Sequence, residues 1–423
     1  MPEEEWMIFN TSIQKQVRDK PGLVVVTGMG VLTPIGDMSV FARHLHAGKD
    51  GIDEVKSFDV GPYKFKTGGE IKEFVPENYF SLRELRRTDR ATQMMYFAGD
   101  EAIMTAGLDF ANVKKHRCGV CIGTTLGGML SGESYYRALR VRENRTYASL
   151  LLDQPLYTAT EKLAKRYGFT GPNNVISTAC SASAHALGYG FELIRNGRCD
   201  LMVVGGVDTL SQLTYAGFGI LKAITRDKIR PFDKKRSGLV LGEGAGVLVL
   251  ENFAHAKERG AFVYGELAGY GKSSDAHHMT APEKDGAGAS LSMRQAMHMA
   301  EVECEDIDYI NAHGTGTILN DAIETLAVKK VFGDRAYEIP ISSTKSMIGH
   351  SLGASGAIEA IVCLMAMLHN FVPPTINYHT PDPECDLDYV PNVSRNKHVK
   401  VALSNSFGFG GNNASLVFKK YEA

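Results

Sequence analysis

The chain is 423 residues long, with 44% hydrophobic and 22% charged residues, which is ordinary globular usage and enough chain for a large core. Lys and Arg number 46 against 48 Asp and Glu, for a formal net charge of −2, so the balance gives no reason to propose nucleic acid or a membrane surface as a partner. Cys118, Cys121, Cys180, Cys199, Cys304, Cys363 and Cys385 are odd in number and lie in apolar or mixed segments, which reads as a reducing, intracellular protein and not a disulfide scaffold. Met1-Pro2-Glu3-Glu4-Glu5 lacks the apolar run of a signal peptide, and no apolar stretch approaches the ~18 residues that span a bilayer, so a soluble, cytoplasmic chain is expected.

Residues 1–21 are polar, end in Lys20-Pro21 and read as an extension outside the core. Leu23 to Thr27 is a buried strand. The Gly28-Met29-Gly30 that follows has the look of a dinucleotide fingerprint, but Thr33 stands where the third glycine belongs and Pro34 comes next, so no clean helix opens there. Arg83 to Ala106 reads as one mixed charged and apolar helix. Cys118 to Gly123 is a strand whose Cys-x-x-Cys spacing invites a zinc or redox site. No second pair or nearby histidines complete one, and two small residues in a buried strand is the simpler reading. Residues 129–170 read as helical and charged, with Arg137, Arg140, Arg142 and Arg145 on a solvated face.

Val175-Ile176-Ser177-Thr178-Ala179-Cys180 then runs from a β-branched strand into a turn, and the small-residue segment from Ser181 to Gly190 continues as a helix closing at Gly197. A cysteine at a helix start sits where orphan N–H groups and the positive dipole end favour a thiolate. A buried, inert thiol is the competing reading. Strands follow at Leu201 to Gly206 and Ala245 to Leu250, and a helix at Phe253 to Arg259.

A second series repeats this order. Strands are expected at Val263 to Ala268, Asp308 to His313, Pro340 to Lys345, Lys400 to Asn405 and Ser415 to Phe418, and helices at Ser290 to Ala300, Asp321 to Phe332 and Ser355 to His369. The alternation makes the class α/β with covered sheets. Four strand ends carry chemistry and then glycine-rich turns: Cys180, His313, Lys345 with His350, and Phe409. Ligands gather at the carboxyl ends of strands in such sheets, so these groups are expected at one site.

Thr178-Ala179-Cys180-Ser181-Ala182 resembles the nucleophile motif of the β-ketoacyl-acyl-carrier-protein synthases. Asn311-Ala312-His313-Gly314-Thr315-Gly316-Thr317 resembles their first histidine motif, Lys345-Ser346-Met347-Ile348-Gly349-His350 their second, and Asn405-Ser406-Phe407-Gly408-Phe409-Gly410-Gly411 their C-terminal turn. Pro231-Phe232-Asp233, Gly242-Glu243-Gly244 and Pro373-Pro374-Thr375 also fit, and the likeness, strongest to the type II elongating enzymes, runs from about Leu23 to the C-terminus. It implies a thiolase-like fold with a duplicated, five-layered αβαβα architecture, an N-terminal half at 22–261 holding the cysteine, a C-terminal half at 262–423, and a homodimer.

The activity implied is decarboxylative Claisen condensation of an acyl thioester with malonyl-acyl-carrier protein, lengthening the chain by two carbons. Cys180 would carry the acyl group, and His313 and His350 would stabilise the enolate left by loss of CO2. Lys345 would tune the histidines, or else pair with Glu359 or Glu324. The N–H groups of Cys180 and Phe409 would form the oxyanion hole, with Phe409 also a gate. Thr315 and Thr317 would bind pantetheine. The acyl carrier protein is the implied partner, docking on basic residues the motifs do not identify. No cofactor and no metal is required; some members hold a structural monovalent cation near positions matching Asn311, Glu359, Ser404 and Asn405. Two departures stand out: residues 129–160 match poorly, and Asn412 replaces a common threonine. The alternatives are a non-catalytic chain-length factor, against which Cys180 argues, a specialised polyketide or polyene ketosynthase, and a thiolase or cysteine hydrolase.

Overall fold

The computed structural model describes residues 22–141 and 145–422. The 1–21 extension and Arg142 lie outside the described residues, as does the Arg145 side chain. Ten strands, with a two-residue partner Gly36–Asp37 beside the first, form one continuous sheet. The first five are β1 (Val24–Thr33), β2 (Cys118–Gly123), β3 (Asn173–Ile176), β4 (Leu201–Asp208) and β5 (Gly244–Asn252). The second five are β6 (Gly265–Ser274), β7 (Tyr309–Asn311), β8 (Ile341–Ser342), β9 (Val401–Gly408) and β10 (Asn412–Lys419).

Their order is β8-β7-β9-β10-β6-β1-β5-β4-β2-β3. Adding five to each label of the first half therefore gives the second. The directions repeat too: β2 pairs in parallel with β3 and β4, and β7 with β8 and β9, while β5 and β10 are each antiparallel to both neighbours. The halves join where β1 meets β6, with Val25 opposite Glu266 and Val26 opposite Gly265. The expected duplication is thus written in the topology.

Helices supply the other layers. α1 (Arg90–Ala106) and α3 (Thr158–Tyr167) cover the outer face of the first-half strands. α6 (Ala287–Ala300) and α7 (Ile318–Phe332) cover that of the second. α4 (Ala182–Arg195) and α8 (Ser355–His369) lie between, in the largest apolar cluster. Because both faces of β1 are covered, all of its residues are buried, and it reads as a continuous apolar run without alternation.

Several boundaries differ from expectation for physical reasons. Gly28 and Gly30 lie inside β1, not in a loop. A Cβ there would stand 2.2 Å from the Ala102 carbonyl and 1.9 Å from that of Ala98, so the glycines let α1 lie on the strand. Gly269 and Gly271 do the same in β6, 2.1 and 1.9 Å from the carbonyls of Ala296 and Ser292, and they carry that strand past the expected end at Ala268. The helix expected from Arg83 is two helices. Ser81 and Glu84 form a capping box on Leu82–Leu85, and Asp89 caps a new start at Arg90 by accepting the Ala91 N–H. Such a cap contributes about 1 kcal/mol.

Residues 129–170 divide into α2 (Met129–Val141), a 3-10 stretch Arg145–Asp153 and α3. A helix the sequence reading missed, α5 (Gln212–Ile220), is capped by Ser211. Cys118 and Cys121 are buried in β2, and all seven cysteines are free. The length argument about membranes also needs correction. Leu352–His369 is 18 residues long and apolar enough to cross one, but 89% of it is buried here, as the core helix α8 and the turn before it.

Candidate active site

Both central helices begin after a strained turn. β3 ends at Ile176, and Ala179-Cys180-Ser181 form a single 3-10 turn leading into α4. Leu352-Gly353-Ala354 form the matching turn before α8. Ala179 (φ 51°) and Leu352 (φ 49°) adopt the left-handed region without being glycine. Each costs about 1–3 kcal/mol, so the surroundings must impose both.

Cys180, His313, His350, Phe409, Thr315 and Thr317 line one cavity of about 320 Å³. The Cys180 side is buried, and the N–H groups of Phe409 and of Cys180 itself face the sulfur and lower its pKa. The pull toward a thiolate expected at a helix start is opposed here. Burial dominates and pushes the thiol up to about 11, with Lys345 opposing and the charge of Asp208 adding to the rise.

The histidines are positioned by the turns that end β7 and follow β8. Glu324 of α7 accepts the His313 N–H and the Gly314 N–H, each at 2.8 Å, which fixes the turn as a carboxylate clamp. Burial lifts Glu324 to about 7. The His350 N–H donates to Val240 at 2.7 Å, and its Nδ1 lies 3.0 Å from the Ser355 hydroxyl. The rings stand edge to face, 5.4 Å apart. Both are held far below the ordinary imidazole pKa, by burial first and then by the Lys345 charge. Neutral imidazoles keep one N–H each to donate.

Lys345 does not line the cavity. It is buried behind it and paired with Glu359, the first of the two partners considered for it. Burial raises Glu359 to about 7 and the Lys345 charge opposes the rise. Thr315 and Thr317 lie hydroxyl to hydroxyl at 2.9 Å.

Phe409 follows β9 and stacks on Phe218 of α5, with centroids 5.6 Å apart. Its turn uses Gly410 (φ 80°) and Gly411 (φ 73°), conformations open to glycine. Asn412, at the departure from the family pattern, donates to the Phe409 carbonyl at 3.2 Å. Asp275 accepts from Asn413 at 2.6 Å and its N–H donates to Gly411. Sequence reasoning missed Phe218, Ser355 and Asp275; only Asp275, an acid close to the second-half strand β6, left even a local trace.

Below the cavity, Asn311 Oδ1, Glu359 Oε2 and Ser404 Oγ are buried without a hydrogen-bond partner. Asn311 and Ser404 stand opposite each other in the β7–β9 register. A carboxylate, an amide and a hydroxyl oxygen with lone pairs unspent fit a hard cation. The Asn405 side chain is engaged with Ser415 (2.9 Å) and Glu324 (3.5 Å). Among the described residues no cluster of three His, Cys, Asp or Glu could hold a metal.

Comparison with known proteins agrees with this arrangement. Residues 23–256 match the beta-ketoacyl synthase N-terminal domain and residues 264–379 its C-terminal domain. The chain is 43% identical over 408 residues to a 3-oxoacyl-[acyl-carrier-protein] synthase 2 of Synechocystis sp., covering 94% of this chain and 98% of that one. The solved ishigamide ketosynthase/chain length factor superposes with a TM-score of 0.90 at 36% identity over 95% of this chain and 99% of that one. A type II polyketide ketosynthase solved in complex with its acyl-carrier protein gives 0.85 at 35% identity, over 95% and 100%. With both family domains matched across most of its length, this chain belongs to the beta-ketoacyl synthases.

Proposed function

We propose that the protein is a 3-oxoacyl-acyl-carrier-protein synthase that lengthens an acyl chain by decarboxylative condensation with malonyl-acyl-carrier protein. The observation that carries this is the meeting of Cys180 with His313 and His350 in one cavity, with Lys345 buried behind it. The Cys180 sulfur attacks the acyl thioester, the carrier leaves, and the thiol proton ends on the carrier sulfur. The tetrahedral oxyanion is held by the N–H groups of Cys180 and Phe409. Malonyl carrier then loses CO2, and the enolate oxygen accepts from His313 and His350, each neutral and donating from Nε2. The enolate carbon attacks the acyl-Cys180 carbonyl; a C–C bond forms, the C–S bond breaks, and the sulfur takes a proton from solvent.

Lys345 keeps the histidines neutral by its charge. Thr315 and Thr317 bind the pantetheine arm, and Phe409, resting on Phe218, gates the acyl chain. Asn311, Glu359 and Ser404 would hold a structural monovalent cation, which would supply the positive charge their unpartnered oxygens lack. The halves divide at 22–261 and 262–423, in keeping with the repeated strand order.

The acyl carrier protein docks beside the cavity mouth. A second cleft shares Lys222 and Ser237 with the cavity and adds Lys64, Arg226 and the exposed Ile220, a basic and apolar surface suited to an acidic carrier. Lys222→Glu with Arg226→Glu should raise the KM for the carrier at least tenfold and leave kcat within about twofold. The homodimer forms through β3, which ends the sheet and pairs on one side only, with Asn173 exposed and Asn174 to Ile176 half-buried.

The test is acylation of the purified protein by an acyl-carrier thioester, located by mass spectrometry, followed by CO2 release on adding malonyl carrier. Cys180→Ala should take up no acyl group; condensation at the wild-type rate in that variant rejects the mechanism. His313→Ala and His350→Ala should each impair CO2 release far more than acyl loading, and the reverse pattern rejects their roles.

A further inference from the structure

Asp208 ends β4, outside the cavity and fully buried. Its carboxylate accepts from the Thr124 hydroxyl (2.8 Å), the Thr125 N–H (2.9 Å), the Leu126 N–H (2.8 Å) and the Gly353 N–H (2.7 Å). The first three belong to the turn after β2. The last lies in the turn that leads from His350 into α8, one residue beyond the strained Leu352.

Thr125, fixed by this carboxylate, passes the restraint on. Its hydroxyl donates to the Ala179 carbonyl at 3.3 Å, and Ala179 is the strained residue directly before Cys180. One side chain thus touches both strained turns, one directly and one through a single hydroxyl. The fit leaves no slack: a Cβ on Gly353 would stand 2.7 Å from Asp208 Oδ2 and 2.8 Å from the Thr125 nitrogen. A carboxylate with four donors is the acceptor such a junction needs, since an amide would turn an N–H against one of them.

We propose that Asp208 is a positioning residue of the condensing centre, a single carboxylate that holds the Cys180 turn of the first half and the His350 turn of the second in fixed register. This rests on the condensing function above, and it assigns the residue no contact with substrate. It gives a reason for two left-handed non-glycine residues at matching places in the two halves.

The experiment compares acyl transfer to Cys180 and CO2 release from malonyl carrier, measured separately at saturating carrier. Asp208→Asn should slow both steps tenfold or more with the carrier KM within about threefold. Gly353→Ala, which drives a methyl into the carboxylate, should do the same. Thr27→Val, which removes a buried hydrogen bond to Glu251 far from the cavity, is the control for general destabilisation and should keep both rates. Asp208→Asn should also lower the pH midpoint of Cys180 alkylation, because a negative charge that opposes the thiolate is gone, whereas Thr27→Val should leave the midpoint unmoved.

Thr125→Val cuts only the Cys180 side and should slow acyl transfer while sparing CO2 release, which keeps the idea testable if Asp208→Asn does not fold. Folded Asp208→Asn within threefold of wild type in both steps overturns the proposal. So does an equal loss in Thr27→Val, or a Thr125→Val that transfers acyl groups normally. If the wild type performs neither step, the condensing function fails, while the alkylation midpoints of wild type and Asp208→Asn still report on Asp208.

Discussion

Lys345 and Glu359 are a buried ion pair set behind two neutral histidines, so the charge that disfavours imidazolium is itself shielded from water. Lys345→Met should move the acid limb of CO2 release to higher pH, toward the 6.5 of free imidazole, because a nearby cation no longer opposes His313 and His350 protonation. Activity against pH in wild type and variant checks this; an unmoved limb would remove Lys345 from the histidines' electrostatics. The variant should also lose about 3–5 kcal/mol of stability, since Glu359 is left buried without its partner, and denaturant titration measures it. The reacting groups were legible because each follows a β-branched or apolar strand and is flanked by glycines or other small residues. Their supports were not. Glu324, Ser355 and Asp208 are ordinary polar residues on helices or strand ends; the first two hold groups 11 and 5 residues away, and Asp208 holds turns 82 and 145 residues away.

The close contact of β1 with α1 is made by absent side chains. Gly30→Ala would bring a methyl against the Ala98 carbonyl, and backbone cannot yield as a side chain does. Overpacking of this kind costs about 1–3 kcal/mol, and a lowered Tm with intact secondary structure is the expected result; an unchanged Tm would mean that α1 has room. In the same contact, Glu101 of α1 accepts the Val31 N–H at 2.9 Å, and burial pushes its carboxyl up to about 8. Its folded pKa lies above the unfolded value near 4.5, so the stability tied to its proton is present at low pH and is lost as pH rises toward 8. Glu101→Gln keeps an acceptor without the charge and should raise Tm at pH 9 by roughly 2 °C or more, with little difference at pH 4. Equal Tm shifts at both would reject the burial argument. At this scale the sequence reading found most strands and placed their ends poorly. It took Gly28, Gly30, Gly269 and Gly271 for breaks because a glycine facing a helix backbone and a glycine in a turn look alike in one dimension. It passed through Asp89 because a cap inside a charged, periodic run is easily overlooked.

For the molecule as a whole, the open edge at β3 makes its own prediction. Val175→Lys should give a monomer in sedimentation and depress condensation, since β3 leads directly to the Cys180 turn; a dimer that persists would place the interface elsewhere. The duplication was legible as a repeated strand and helix order. The arrangement of strands was not, because neither pairing partners nor crossovers leave a local pattern. That arrangement has a consequence for how the chain reaches its native state. β1, the first of the ten strands in chain order, lies between β5 and β6, pairing Val24 with Asn252 and Val25 with Glu266. It must wait, largely apolar, until more than half of these 423 residues have been synthesised. Contacts so distant in sequence slow folding and prolong the exposure of sticky intermediates. Refolding from denaturant should therefore be slow and lossy at high protein concentration, and a chain truncated after β5 should aggregate where the full chain does not.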